Sequence, residues 1–131
     1  MQITRQADYA LRAVKYLARL APGEKASTSA IAADQCIPPS FLAKIISQLS
    51  IAELIHTARG AHGGVFLSRT AAEISILDVV EAIDGPIIIN ECTTNPSACS
   101  FSSDCALHDL WCNIRSELIT KLKKTTFSQI A

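Results

Sequence analysis

The 131-residue chain has few aromatic side chains, no long apolar run and no net charge. A membrane-spanning helix needs about 20 consecutive apolar residues, and no segment approaches that length. The first ten residues also lack the apolar core of a secretory signal peptide, so we expect a cytoplasmic protein with no membrane partner. A chain of this length is typical of one domain with a modest hydrophobic core.

Signatures of substrate chemistry are missing as well. The sequence has no carboxylate pair, no nucleophile motif and no phosphate-binding loop with its partner residues in place. We therefore expect that the protein is not an enzyme and has no small-molecule substrate. A binding or regulatory role fits the remaining features better.

The zero net charge conceals two halves of opposite sign. Through Thr70 the chain has eight lysines and arginines against four acidic residues, and from Ala71 onward it has four against eight. A basic segment beside an acidic one indicates a polyanionic partner for the first half, such as nucleic acid.

Cysteine, by contrast, is concentrated in one place. Four of the five cysteines lie in the stretch Glu91–Cys112, which reads "ECTTNPSACSFSSDCALHDLWC". In a reducing compartment, an odd number of clustered cysteines indicates metal binding or redox chemistry rather than a disulfide framework.

The spacing of apolar residues and turn formers predicts a winged helix-turn-helix in the first half. Three helices are predicted, with starts at Thr4, Thr28 and a cap at Ser40, and the turn "CIPPS" separates the second from the third. Two short strands, Leu54–Ala58 and Val65–Leu67, surround a glycine-rich turn and form a hairpin. The predicted fold class is mainly α with a small β-hairpin wing.

The second half predicts a short helix, a long loop and a long helix. Ser75 caps the short helix and Gly85 ends it, and no periodicity follows until Asp104. A helix of about eighteen residues then carries an apolar stripe made of Leu107, Trp111, Ile114, Leu118 and Leu122. Because little chain remains to cover this stripe, we expect it to pack against a second copy in a homodimer.

These elements divide the chain into three segments. We expect a winged-helix DNA-binding domain over residues 1–84 and a cysteine-rich, cluster-binding loop over residues 85–104. A dimerisation helix with a C-terminal tail is expected over residues 105–131.

Five polar side chains of the first segment are placed to contact double-stranded DNA. Ser40 lies where the free N–H groups of a helix N-terminus can meet a phosphate. Lys44 and Gln48 follow on a polar face of the same helix, which would enter the major groove. Arg59 and His62 lie at the hairpin tip, where glycines allow close approach to a duplex. The alternative is a winged helix that contacts only other proteins.

The second segment contains a set of soft metal ligands. Cys92, Cys99, Cys105 and His108 follow one another with gaps of six, five and two residues. On spacing alone, such a set is suited to zinc and to an iron–sulfur cluster alike, and unligated reactive thiols are a third interpretation. Cys112 lies two turns after Cys105 among apolar neighbours, which is more typical of a small buried residue.

Nearly the whole chain resembles the bacterial regulator family that includes IscR, NsrR and RirA. The resemblance rests on five motifs that occur in the family's order: "TRQADYALRAVKYLA", "IPPSFLAKIISQL", "TARGAHGGVFLSR", "ISILDVVEAIDG" and "CTTNPSACSFSSDCALHDLW". It implies a homodimeric winged-helix transcription regulator that carries an iron–sulfur cluster. It therefore favours iron–sulfur over zinc.

The resemblance also implies a ligand set. Cys92, Cys99 and Cys105 correspond to the three cluster cysteines of the family. Relatives with a histidine placed as His108 bind a [2Fe–2S] cluster, whereas relatives with a carboxylate placed as Asp8, contributed across the dimer, bind [4Fe–4S]. Both residues are present here, so the cluster type stays open. The first cysteine gap is one residue longer than in IscR, which weakens the transfer of its geometry.

The combined hypothesis is a transcription regulator, for example a repressor, whose operator affinity depends on its cluster. The cluster would sense nitric oxide, redox state, iron or cluster supply. A coupling free energy of about 1–3 kcal/mol changes affinity roughly 5–150-fold, which suffices for a switch. The alternatives are a DNA-binding protein with a structural zinc site and a cluster-binding protein that does not bind DNA.

Overall fold

The computed structural model describes residues 2–131, apart from the side chain of Ser102. In this part of the chain the α-helices are α1 (Arg5–Ala18), α2 (Thr28–Gln35), α3 (Pro39–Ile51), α4 (Ile76–Asp84), α5 (Ala106–Lys124) and α6 (Phe127–Ile130). An antiparallel hairpin of β1 (Ile55–Ala58) and β2 (Gly64–Leu67) lies between α3 and α4. Short 3-10 turns occupy Glu91–Thr93, Pro96–Ala98 and Ser102–Asp104 in the cysteine-rich loop. The predicted helical fold with a hairpin wing is confirmed.

Two of the predicted helix caps are present with the expected hydrogen bonds. The hydroxyl oxygen of Thr4 accepts from the Ala7 amide at 3.1 Å and starts α1. Ser75 starts α4 through a reciprocal pair, because its side chain accepts from the Asp78 amide while the Asp78 carboxylate accepts from the Ser75 amide. Such capping boxes satisfy amides that the first helical turn leaves free.

The predicted N-terminal cap of α3, Ser40, is wrong by two residues. Helix α3 begins at Pro39 after Pro38, so Ser40 lies inside the first turn and caps nothing. Proline suits the first helical position because its fixed φ angle is already helical and it has no amide hydrogen to satisfy. Helix α2 starts at Thr28 as predicted and ends at Cys36, whose φ of 53° lies in the left-handed region.

The hydrophobic core lies among α1, α3, α4 and the hairpin. Its largest fully buried side chains are Phe127, Ile31, Leu42, Ile45, Leu49, Ile55, Ile74, Val14, Val79 and Val80. Phe127 belongs to α6, a short helix that the sequence did not predict. Its amide donates to the Ile74 carbonyl at 3.1 Å, while the Ile76 amide donates to the Thr125 carbonyl at 2.9 Å. The C-terminal residues are therefore joined to the core of the first segment.

Helix α5 spans 19 residues, close to the predicted length, but its apolar stripe divides into two parts. Leu118 and Leu122 pack within the same chain against a cluster formed by Leu77, Val80 and Ile87. The expectation that the whole stripe meets a second copy is therefore wrong for this half, because α4 offers it an apolar surface. Nearer the start of α5, Leu107 is 58% exposed and Ile114 is 38% exposed.

Candidate nucleic-acid interface and thiol cluster

The helix-turn-helix is fixed to α1 by one arginine. Arg12 donates from Nη1 to the Gln35 carbonyl at 3.0 Å, at the end of α2. The same guanidinium donates from Nε and Nη2 to one carboxylate oxygen of Asp8, at 3.1 and 2.7 Å. Its carbon also lies 5.0 Å from the centre of the Tyr9 ring. Arg12 thus joins α1 to the turn that precedes α3.

The predicted DNA contacts on α3 differ in their exposure. Ser40 and Lys44 are exposed to solvent. Gln48 is half-buried, and its Oε1 atom is shielded and has no hydrogen-bond partner within residues 2–131. In this conformation the oxygen of Gln48 is not presented to solvent.

The hairpin tip presents Arg59 and His62 in a turn between β1 and β2, and both side chains are exposed. Gly60 has a φ of 96°, which residues with a side chain rarely adopt. At Gly63 an added Cβ would collide with the Ala58 carbonyl. These glycines permit the tight turn between β1 and β2, where the sequence predicted a glycine-rich turn.

The base of the hairpin is attached to the segment before α2. The Ala26 amide donates to the Val65 carbonyl at 3.0 Å, and the Val65 amide donates to the Ala26 carbonyl at 2.7 Å. The Lys25 ammonium lies 5.3 Å from the centre of the Phe66 ring. The wing is thereby held at a fixed position relative to α2 and α3.

Four thiols lie in the cysteine-rich loop and in the first turns of the helix that follows it. Cys92 is buried in the first 3-10 turn, while Cys99, Cys105 and Cys112 are half-buried, and none of the four forms a disulfide within the described chain. Burial raises the pKa of Cys92 above its usual value of 9.0, and the thiols of Cys112, Cys99 and Cys105 raise it further. A backbone hydrogen bond acts in the opposite direction. The thiols of Cys112, Cys99 and Cys105 therefore each lie within electrostatic reach of Cys92.

His108 faces this cluster from the first turn of α5. Its Nε2 atom lies 3.6 Å from the sulfur of Cys112. Its Nδ1 atom is shielded from solvent and has no hydrogen-bond partner in the described part of the chain. A buried nitrogen without a partner is uncommon, and a metal is one of the partners that can satisfy it.

The donor chemistry of this site fits an iron–sulfur cluster. In residues 2–131 no three histidine, cysteine or acidic side chains converge closely enough to hold one metal ion. The ligands of a cluster are divided among two or four iron atoms, so they need not all converge on a single point. Several thiols around a shielded cysteine, with an imidazole nitrogen beside them, are suitable donors for such a group. Asp8 is engaged instead by Arg12 of the same chain.

Two residues of the site were not among the sequence predictions. Cys112 was interpreted as an apolar position, although its thiol lies beside His108, and Arg12 was not considered. In both cases the signal was an i, i+4 spacing, from His108 to Cys112 and from Asp8 to Arg12, which places two side chains on one helix face.

Comparison with known proteins identifies the family. The family described as "Rrf2: Iron-dependent Transcriptional regulator" matches residues 3–131. An HTH-type transcriptional regulator of Mycobacterium tuberculosis is 36% identical over 131 residues, which is 100% of this chain and 81% of that protein. These relatives are regulators of transcription, as expected for a chain without enzyme signatures. A helix-turn-helix regulator of this kind implies a DNA partner.

Solved structures give the same fold. CymR, the global cysteine regulator of B. subtilis, superposes with a TM-score of 0.82 at 24% identity, over 100% of this chain and 96% of its own. IscR of T. potens superposes with a TM-score of 0.80 at 20% identity, over 99% of this chain and 85% of its own. Within residues 2–131, no helix combines the length and hydrophobicity that a bilayer crossing requires. The chain belongs to the Rrf2 family of transcriptional regulators.

Proposed function

We propose that the protein binds operator DNA with an affinity set by an iron–sulfur cluster on Cys92, Cys99 and Cys105. The placement of Cys92, Cys99 and Cys105 in and directly after one short loop, all three without a disulfide, is the observation that carries this proposal. A bound cluster supplies iron that reacts with oxidants or nitric oxide and that depends on iron supply. The chain's own residues hold the loop and transmit its position to the DNA-binding segment.

The start of the cysteine-rich loop is bonded to α5 and follows the end of α4, which is itself bonded to the start of α1. Arg115 of α5 donates from Nε to the Ile87 carbonyl at 2.7 Å. Just before the loop, the Asp84 carboxylate accepts from the Thr4 hydroxyl at 2.6 Å, which joins the end of α4 to the start of α1. Fixing the thiols in place would therefore restrain the loop against α5, α4 and α1 together. Loss of the cluster would remove this restraint and let the loop move relative to the three helices.

The fourth donor is His108 or the partner subunit's Asp8, and the two carry different clusters. The shielded Nδ1 atom supports His108 and hence a [2Fe–2S] cluster. The position of Asp8 on α1 supports the other arrangement, a [4Fe–4S] cluster with a ligand from across a dimer. In that arrangement Asp8 would share its carboxylate between iron and Arg12, so a change at the cluster would reach the helix-turn-helix directly.

Contacts with double-stranded DNA would come from α3 and the wing. Lys44 and Ser40 lie on the exposed side of α3, and Arg59 and His62 lie at the hairpin tip. Gln48 would contribute only after its side chain turns outward. Most of these side chains suit phosphate contacts, which position the protein, whereas contacts to base edges specify the sequence.

A homodimer is part of the same proposal. The first half of α5 leaves Leu107, Leu110 and Ile114 exposed, and apolar residues so closely grouped favour an interface. A second copy would also supply a second α3 to enter the major groove. An operator of two-fold symmetry requires two such helices, because its half-sites lie about 34–36 Å apart. Leu110→Glu would then produce monomers in native mass spectrometry, while Lys123→Glu on the exposed face of α5 would leave dimers intact.

A second candidate function uses the thiols without a cluster. The four thiols of the loop and α5 are free in the described chain, and the thiol of Cys112 lies beside the imidazole ring of His108. The fold is shared with CymR, which is named a global cysteine regulator. A regulator of this kind would respond to thiol oxidation and contain no iron.

Counting iron and acid-labile sulfide in protein purified without oxygen separates these functions. The proposal predicts a coloured protein with both elements, a colourless Cys99→Ala variant that stays folded, and a coloured Cys36→Ala control. Cys36 is the matched control because it is exposed in the helix-turn-helix, away from the loop. Wild-type protein with neither iron nor zinc would contradict the proposal and favour thiol oxidation. Zinc in place of iron would favour the structural zinc site.

A further inference from the structure

His108 and Cys112 face each other one turn apart on α5. The distance between Nε2 of the ring and the sulfur is 3.6 Å, within the range of a hydrogen bond to sulfur. Both side chains are half-buried, so water competes poorly for this contact. The remaining ring nitrogen, Nδ1, is shielded and has no partner within residues 2–131.

The chemistry of a neutral imidazole limits how this contact forms. One ring nitrogen carries a hydrogen and the other carries a lone pair. A thiol is a weak donor, whereas a ring N–H is an ordinary one, so Nε2–H donating to the sulfur is the stronger arrangement. Nδ1 then has an unshared lone pair in a shielded position, where water cannot satisfy it.

We propose that Cys112 is a positioning residue that holds His108 with its hydrogen on Nε2 and leaves Nδ1 free to bind iron. Histidines that bind metals commonly donate their other N–H to a second group, which fixes both the tautomer and the ring orientation. Here that second group is a sulfur atom supplied by the same helix face. The inference rests on the proposed function, because His108 is a ligand only if the cluster binds.

The contact itself is tested in protein without metal. Long-range ¹H–¹⁵N NMR spectra at a pH above the ordinary histidine range report which ring nitrogen carries the hydrogen. The His108→Gln variant assigns the signal among the three histidines. We expect hydrogen on Nε2 alone in the wild type and in Cys112→Ser, and a mixture of tautomers in Cys112→Ala. A wild-type ring with its hydrogen on Nδ1 would overturn the proposal.

The consequence for the cluster is tested in reconstituted protein. We expect Cys112→Ala to retain the cluster about 10–100-fold less well against a chelator and to change its electron paramagnetic resonance signal. Cys112→Ser should behave nearly as the wild type, since a hydroxyl oxygen also accepts from Nε2. Ser116→Ala, on an exposed position of the next turn, is the matched control and should change neither property.

The outcomes separate this inference from the proposed function. A wild-type protein that never takes up a cluster would contradict the proposed function, while the NMR spectra would still decide the His108–Cys112 contact. A cluster retained equally by the wild type and Cys112→Ala, with unchanged signals, would overturn the positioning role alone. Equal losses in Cys112→Ala and Cys112→Ser would also overturn it, because the hydrogen bond would then not be what matters.

Discussion

Asp8 and Arg12 form an ion pair one turn apart on α1, in which two guanidinium nitrogens donate to one carboxylate oxygen at 2.7 and 3.1 Å. The third nitrogen of Arg12 reaches the Gln35 carbonyl at the end of α2. An exposed ion pair of this kind stabilises a fold by less than about 1 kcal/mol. Its importance lies in position, because it connects a candidate ligand to the turn before α3.

Replacing Arg12 by lysine tests this connection. Lysine keeps the charge but cannot reach Asp8 and the Gln35 carbonyl at once, since it lacks the planar fork of the guanidinium. We expect operator affinity to fall several-fold while the unfolding free energy drops by about 1 kcal/mol or less. Gel shifts and chemical denaturation measure the two quantities. Arg19→Lys, an exposed position past α1, is the control, and equal effects in both variants would contradict the connection.

Removing the arginine at the hairpin tip tests the wing as a DNA contact. Arg59→Ala should weaken operator binding at low salt and lower the slope of log affinity against log salt by about 1, as expected for one lost phosphate contact. The cluster spectrum should not change. Lys123→Ala removes one charge from an exposed position of α5 and should leave the slope unchanged. An unaltered slope in Arg59→Ala would mean that the wing does not touch the duplex.

Truncating Phe127 tests the attachment of the C-terminus. The side chain is fully buried in the core, so Phe127→Ala should lower the unfolding free energy by about 3–5 kcal/mol. Ile130→Ala, at a position that is 40% exposed, should cost less than about 1 kcal/mol. Denaturant titrations measure the unfolding free energies of both variants. Similar losses in the two variants would indicate that α6 does not anchor the chain.

The buried thiol gives a pH dependence of a defined sign. Burial and neighbouring thiols raise the pKa of Cys92, so the folded chain holds this proton more tightly than the unfolded chain. Its contribution to stability is therefore complete below the usual thiol pKa of 9.0 and is lost as pH rises through the folded value. Denaturation of reduced, metal-free protein should show a steeper loss of unfolding free energy above about pH 9 in the wild type than in Cys92→Ala. Parallel curves of unfolding free energy against pH for the two proteins would contradict a raised pKa of Cys92.

Local signals predicted most of the fold correctly. Thr4 and Ser75 cap their helices as expected, because a hydroxyl before an apolar periodic segment provides the acceptor that free amides require. The start of α3 was misplaced because two residues there suit a helix start. The prediction chose Ser40 for its capping hydroxyl, whereas the helix begins at Pro39, whose φ angle is already helical. Helix α6 was missed because a four-residue helix has no periodicity, and no spacing in the sequence shows that Phe127 is buried in the core.

The features that the sequence could not predict depend on tertiary contacts. Leu118 and Leu122 were predicted to face a second chain, but α4 covers them, and no spacing along α5 distinguishes the two surfaces. The assignment of Cys92, Cys99 and Cys105 as ligands stays a prediction, which rests on their type and spacing and on the family resemblance. Cys112 resembled an ordinary buried residue because its partner, His108, is recognised only when both are placed on one face.

The most direct test of the account is the operator affinity of the same protein with and without its cluster. Protein reconstituted with iron and sulfide without oxygen, and then stripped by a chelator, would be titrated against DNA from upstream of its own gene at a fixed salt concentration. The account predicts a coloured form and a stripped form whose affinities differ roughly 5–150-fold. Equal affinities, or a protein that stays colourless after reconstitution, would contradict it.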